Sequence, residues 1–234
     1  MKRELTIVIP ALNEEEFIEK TVTEILQSGR DLFAQFEIIM VNDGSSDRTG
    51  QIMDELARAN PEARVIHHRS PQGVGVAFWE GIDEAKFDNL SLIPGDNAFN
   101  VAGLKTLFEA VGSAQLVVSF RKNASHARSP FRIFLSKAFR LFVIVLSGYR
   151  LKDFYSAEVY PVGMVRQIKV RPRGYTYQIE TLISLLAHGV SYIEVPASLN
   201  LRETRNSQVF KWKTVREVLK LYWRLVVHRS DYRS

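Results

Sequence analysis

The chain of 234 residues contains no cysteine. Disulfides and thiolate metal sites are therefore excluded, and nothing requires an oxidising compartment. Long hydrophobic runs are also missing. The apolar stretch after Met1-Lys2-Arg3-Glu4 lasts only about five residues before Pro10, short of the ~7 to 15 of a signal-peptide core. The longest run elsewhere, Leu141 to Leu146, is far below the ~20 residues that span a bilayer. The expected address is therefore cytoplasmic, with no segment crossing a membrane. There is no internal repeat, low-complexity tract or obvious linker, and at 46% hydrophobic content the chain can bury a full core as one domain, residues 1–234.

Acidic residues are locally absent as well. Between Arg121 and Arg150 there are seven basic residues (Arg121, Lys122, Arg128, Arg132, Lys137, Arg140, Arg150) and no acidic one. The net charge of +5 thus hides an asymmetry, with residues 1–120 at −9 and residues 121–234 at +14. A basic field of this kind steers phosphates, anionic lipid surfaces or nucleic acid, unless it is simply a solvated face.

What is present in the first half is alternation. Short β-rich runs (5–9, 37–41, 64–68, 90–93, 116–119) alternate with helical periodicity (14–28, 47–59, 74–86, 101–111). That pattern predicts βαβ units and an α/β fold with a mostly parallel sheet flanked by helices. The second half is less regular, with helices expected at 130–147 and 177–188, turns around Gly148 and Gly163, a strand at 191–195 and an apolar, basic helix at 210–228.

The strand ends carry the chemistry. The run Glu37 to Val41 opens into Asn42-Asp43-Gly44-Ser45-Ser46-Asp47, where Gly44 permits a tight turn and Ser46 or Asp47 can cap the next helix. The first strand stops at Pro10-Ala11-Leu12-Asn13-Glu14, and the fourth at Pro94-Gly95-Asp96-Asn97-Ala98. In open α/β sheets ligands bind at such ends. Between strands three and four, Gly73-Val74-Gly75 would let backbone approach a ligand at a helix N-terminus.

These residues, in order, resemble glycosyltransferase family 2: inverting nucleotide-sugar transferases of the GT-A (Rossmann-like) fold, and above all the polyprenyl (dolichyl) phosphate mannosyltransferase branch. The matching segments are Ile9 to Glu14, Val41 to Asp47, Gly73 to Ala77, Gly95-Asp96, Ser119-Phe120-Arg121, Ser129 to Arg132 with Ser136, Lys152 to Ser156, Glu180, and Glu194-Val195-Pro196 with Arg202 and Ser207. The resemblance implies that residues 1–120 bind the nucleotide sugar, with Pro10, Leu12 and Glu14 lining the nucleoside pocket, Asp43 accepting from a base N–H, and Gly44, Ser45 and Gly73 beside it. It implies that residues 121–234 bind the acceptor phosphate through Arg121, Arg132, Ser136 and Arg202. The family ends this fourth strand with two aspartates one residue apart, holding a divalent cation against the diphosphate. Here Pro94 replaces the first, so Mg²⁺ or Mn²⁺ is expected to rest on Asp96, with the Asn97 amide oxygen, and to enter with the donor. Asp96, Arg121 and Asp153 are the candidate catalytic residues; Asp153 either orients a sugar hydroxyl or binds backbone N–H groups, and Glu180 pairs with a basic residue or touches substrate.

A hydroxyl acceptor would need a general base. A lipid monophosphate needs none, since its second pKa near ~6 leaves an anionic oxygen at neutral pH. It needs cations, which arginines supply bidentately. The expected activity is transfer of a hexose, mannose or glucose, from a GDP or UDP sugar to a polyprenyl phosphate with inversion. The alternatives are transfer to a sugar or small-molecule hydroxyl, or non-catalytic nucleotide-sugar binding. The helix at 210–228, with Phe210, Trp212, Tyr222 and Leu225 among lysines and arginines, either lies in a membrane interface or packs on the core, and the helix near 131–147 can join it. The protein is thus expected on the cytoplasmic face of a membrane, directly or through a membrane-anchored partner. Nucleic acid is not expected, because the acidic strand-end loops would repel a backbone and no recognition motif is present.

Overall fold

Alternate residues of the first two strands feed opposite faces of one sheet. On β1 (Glu4–Ala11), Leu5, Ile7 and Ile9 enter one apolar cluster and Val8 the other. On β2 (Gln35–Asn42), Ile38 and Met40 join the first while Ile39 and Val41 join the second. This period of two on both faces is what a buried strand with helices on either side requires.

The computed structural model describes residues 3–122, 130–200 and 221–224, and for residues 130 and 132 the backbone alone. After β1 come α1 (Ile18–Leu32), β2, α2 (Thr49–Ala59), β3 (Ala63–His67), α3 (Val74–Glu84), β4 (Asn89–Leu92), α4 (Val101–Glu109) and β5 (Leu116–Arg121). The second half adds α5 (Pro130–Ser147), β6 (Glu158–Pro161), the single turn α6 (Val162–Val165), α7 (Tyr177–Ala187) and β7 (Tyr192–Ala197). The strands lie in the order β3-β2-β1-β4-β6-β5-β7. All neighbours are parallel except β6, which runs against both β4 and β5. Helices α1, α2 and α4 cover one face, and α3, α5 and α7 the other.

The parallel α/β sheet matches the sequence reading, and most boundaries agree within a few residues. Helix α1 starts at Ile18 rather than 14 because residues 13–17 form a separate loop: Asn13 takes a positive φ of 56°, and Phe17 and Ile18 N–H both bond the Glu14 carbonyl. Helix α2 starts after Asp47, whose Oδ1 accepts from the Thr49 N–H, while Arg48 at the cap position supplies no side-chain bond. Strand β6 was not expected. Of the helix expected at 210–228, only the helical residues 221–224 are described.

Strand β6 carries an unusual burden. Glu158 is 2% exposed; its Oε2 accepts from Tyr160 OH at 3.1 Å and from Gln178 of α7, whereas Oε1 is buried without a hydrogen-bond partner. Burial raises its pKa to about 8, against the hydrogen bonds from Gln178 and Tyr160, with the Asp153 charge adding to the rise. An uncompensated buried carboxylate is costly, so the protonated form is the one that belongs in this core.

A carboxyl whose folded pKa lies above its unfolded value of 4.5 contributes stability that is complete below that value and lost as pH rises through about 8. Relative to Glu158→Gln, which keeps an acceptor for Tyr160 and Gln178, the wild type should therefore lose on the order of a few kcal/mol between those two pH values. Urea unfolding of both proteins at the two ends of this window checks the difference.

Candidate active site

Because β1, β2 and β4 are parallel, their carboxyl ends reach one edge of the sheet. The chain leaves β1 toward β2 and β3 on one side and returns to β4 on the other, which opens a crevice at the ends of β1 and β4. Backbone bonds close the edge: Asp43 N–H donates to the Ala11 carbonyl at 2.9 Å, and Gly95 N–H to the Pro10 carbonyl at 3.0 Å.

The first two acidic loops are stitched together. Asn13 N–H donates to Ser45 Oγ at 3.0 Å, Ser46 N–H to Asn13 Oδ1 at 2.8 Å and Glu14 N–H to Thr49 Oγ1 at 2.8 Å. Arg48 N–H donates to the Glu15 carboxylate at 3.0 Å, and Glu15 N–H to Asp47 at 3.2 Å. The expected donor residues Pro10, Leu12, Glu14, Asp43, Gly44 and Ser45 thus share one edge. Leu12 is 40% exposed there, an apolar side chain held at the mouth.

Asp43 is buried, and three donors converge on it. Its Oδ1 takes the Gln72 N–H and the His68 ring Nδ1, both at 2.7 Å, and its Oδ2 takes the Gly73 N–H at 2.9 Å. A carboxylate offers about four lone-pair sites, so one direction on Oδ2 is left for a further donor. His68 was read from sequence as the last residue of strand three. In the structure it lies just past β3, and its Nε2 reaches Glu80 Oε2 of α3 at 2.7 Å. Burial disfavours its charged form, but the bonds to Asp43 and Glu80 outweigh that and raise its pKa above the ordinary value.

The Gly73-Val74-Gly75 turn departs from expectation. A Cβ on Gly73, whose φ is +101°, would lie 3.1 Å from the Arg173 carbonyl oxygen, and one on Gly75 would lie 2.5 Å from that of Pro172. The close backbone approach these glycines allow is made by residues 172–173. Trp79 Nε1–H donates to the Pro172 carbonyl at 3.0 Å, and Arg173 donates to Gln72 Oε1 at 2.7 Å.

At the end of β4, Asp96 is half-buried and its Oδ1 accepts the Ala98 N–H at 3.1 Å. Asn97, expected as a metal ligand, is 2% exposed and has φ 52°. Its amide nitrogen donates to Glu24 at 2.8 Å and its oxygen accepts from Asn200 at 2.8 Å. Asn97 therefore fastens this loop to α1 and to the segment after β7 rather than presenting its oxygen to a cation. Among the described residues no group of three or more His, Cys, Asp and Glu side chains could hold a metal.

Strand β5 runs in the same direction as β4, so Arg121 ends on the same edge. Its guanidinium forks onto Asp153, with Nε to Oδ2 at 2.6 Å and Nη2 to Oδ1 at 2.9 Å. Basic residues of 121–150 were expected to lack local carboxylate partners; Arg121 finds one beyond that segment. Asp153 Oδ1 also accepts the Tyr155 N–H at 3.0 Å. Burial pushes this carboxyl up, but Arg121 and the backbone donors hold it below the usual carboxylate range. The loop around it is pinned by Lys152 N–H to Glu194 at 2.7 Å and by Ser119 to Ser156 between hydroxyls. Glu180 is buried on α7 and accepts from Arg224 at 2.7 Å, which makes it an ion-pair partner. Ser136 is exposed on α5, one turn from Arg132; the Arg132 side chain and all of Arg202 lie outside the described residues.

Residues 6–156 match the sequence model of the family described as Glycosyl transferase family 2. The chain is 28% identical over 217 residues to the undecaprenyl-phosphate mannosyltransferase of Micrococcus luteus, covering 88% of this chain and 87% of that one. It is 29% identical over 209 residues to the polyprenol monophosphomannose synthase of Mycolicibacterium smegmatis, covering 84% and 77%. Among solved structures it is similar to glucosyl-3-phosphoglycerate synthase from Mycobacterium tuberculosis in complex with Mn²⁺, UDP and phosphoglyceric acid. That likeness has a TM-score of 0.68 at 20% identity and covers 99% and 79% of the two chains.

Replacing Gly75 by Ala drives a methyl group into the Pro172 and Arg173 backbone. The variant should lose about 1 to 3 kcal/mol by urea unfolding, with the loss of protection in amide exchange concentrated at Trp79 and around residues 171–177.

Proposed function

The chain belongs to glycosyl transferase family 2, and on that footing we propose that it transfers a hexose from a nucleotide-diphosphate sugar to a polyprenyl phosphate, with inversion. Mannose is the first choice and glucose the second, carried on GDP or UDP. The observation that carries the reading is the junction on one sheet edge of an acidic, tightly bonded nucleoside side (Pro10 to Glu14, Asp43) and the Arg121–Asp153 pair. Similarity to polyprenyl-phosphate mannosyltransferases over most of the chain supports the acceptor.

The state of the carboxylates supports an acceptor that brings its own negative charge. Asp153 has both oxygens committed to Arg121 and a backbone N–H, and its lowered pKa makes it a poor proton acceptor. Glu158 lies in the core, out of reach of substrate. A phosphate monoester oxygen needs no base to attack an anomeric carbon. It needs compensation of charge beside the donor diphosphate, the role we give to Arg132, Ser136 and Arg202, with the uncommitted N–H groups of Arg121. Asp96 is the carboxylate that would hold Mg²⁺ or Mn²⁺ together with the diphosphate, and a bound ion would supply charge neutralisation for a nucleoside diphosphate leaving group.

The proposed access to a lipid rests on α5. Phe131, Phe134, Leu141 and Val145 are each more than 60% exposed, and their spacing, with Ala138, puts them on one helical face. Trp223 adds a further exposed aromatic. No helix among the described residues is long and apolar enough to cross a membrane. We assign this face to a membrane surface on the cytoplasmic side, with Lys137 at its edge toward anionic headgroups.

Three outcomes test the reading. With purified protein, GDP-mannose or UDP-glucose and a short-chain polyprenyl phosphate, hexosyl transfer should appear with Mn²⁺ or Mg²⁺ and be lost upon chelation; absence of turnover with every donor would leave only a binding protein. Arg202→Ala should lower kcat/KM for the lipid phosphate by about tenfold or more while nucleotide affinity changes little. Calorimetry should detect Mn²⁺ binding in the presence of nucleotide and none of comparable affinity without it, and Asp96→Asn should abolish the difference.

A further inference from the structure

Asp43, His68 and Glu80 come from three separate elements: the end of β2, the residue after β3 and the middle of α3. The imidazole is buried between the two carboxylates, with Nδ1 and Nε2 each 2.7 Å from a carboxylate oxygen. An ionised carboxylate only accepts hydrogen bonds, so both contacts are made together when both ring nitrogens carry protons. Neutral imidazole would turn one lone pair toward a carboxylate and lose that bond. The stake is not local to the ring, since the same Asp43 oxygens receive the Gln72 and Gly73 backbone N–H groups.

We infer that His68 is a positioning residue for the donor: as the imidazolium it holds the Asp43 carboxylate and the 68–73 loop in the base-binding arrangement, and loss of its proton weakens nucleotide binding. This rests on the assignment of Asp43 to the donor base made above. The ring's own hydrogen bonds go to Asp43 and Glu80. Around it, His67 bonds Asn42 and Asp54 of α2, Arg69 follows in the chain, and Arg173 reaches the loop through Gln72. Burial opposes the charged ring, but the two carboxylates prevail and raise its pKa from 6.5. Stability and donor affinity linked to this group are therefore complete below the unfolded value and lost as pH rises through the folded one.

GDP and UDP binding with Mn²⁺, measured by calorimetry from about pH 6 to about pH 9, tests this on the wild type, His68→Gln and Glu80→Gln. The ring is followed in parallel by ¹H–¹⁵N NMR on the nucleotide-free protein. The wild type should bind its preferred nucleotide about tenfold or more weakly at the alkaline end, the worth of one charge-assisted hydrogen bond. His68→Gln should bind weakly with a flat profile. Glu80→Gln should move both the binding midpoint and the ring titration to lower pH, a shift that a purely structural contact would not produce. Nucleotide binding that is present but independent of pH, or that falls equally in His68→Gln, would overturn the role of His68 alone. No binding of either nucleotide at any pH would overturn the donor assignment, and this role with it.

Discussion

Burying the Asp43 carboxylate at the end of β2 would be costly if its oxygens lacked donors, and the protein supplies them from a segment 25 to 30 residues away. Two of those donors are the backbone N–H groups of Gln72 and Gly73, so satisfying one side chain dictates the path of the chain between β3 and α3. That path sets where α3 begins. With Val74 as its first residue, Gly73 and Gly75 face the 172–173 backbone, which in turn leads into α7 through Tyr177. One carboxylate therefore ties the end of β2 to the segment that leads into α7, the helix whose Gln178 bonds Glu158 and the Ser156 carbonyl.

On the other side of the crevice two carboxyls are driven apart by their surroundings. Asp153 lies against a forked guanidinium and stays ionised; Glu158, five residues on, has only neutral donors and stays protonated into the mildly alkaline range. Each state supports the other, since ionisation of Glu158 would set a second negative charge beside Asp153. The Arg121–Asp153 pair is also nearly neutral as a unit. Attraction for an acceptor phosphate at this edge must then come mostly from the other cations of the second half, which holds a net +14 over residues 121–234.

The parallel half of the sheet was legible because its strands are apolar runs interrupted by glycine, asparagine and aspartate, and each such break is a strand end. Asp43, Gly44, Ser45 and Asp96 stand out for the same reason. Strand β6 was not legible: four residues with a glutamate at one end and a proline at the other carry no periodicity, and only pairing to β4 and β5 makes them a strand. His68 and the 172–173 segment were hidden for a different reason, since their partners lie 12 to 101 residues away and no local spacing announces them. Asn97 shows the opposite error. Next to Asp96 it has the chemistry of a ligand, but a positive φ turns it inward to Glu24 and Asn200, and the backbone rather than the side-chain type decides its role.

Helix α5 joins two requirements that would otherwise compete. A face bearing Phe131, Phe134, Leu141 and Val145 in water is penalised in proportion to its apolar area, yet the opposite side of the helix is already committed to the core through Val143, Phe139 and Phe142. Rotating the helix would only exchange one exposed face for the other. The membrane surface proposed for this face, apolar below and charged above, would remove the conflict. Ser136 stands on the same helix about half a turn round from that stripe, so a membrane under the stripe would leave it on the side turned away from the bilayer.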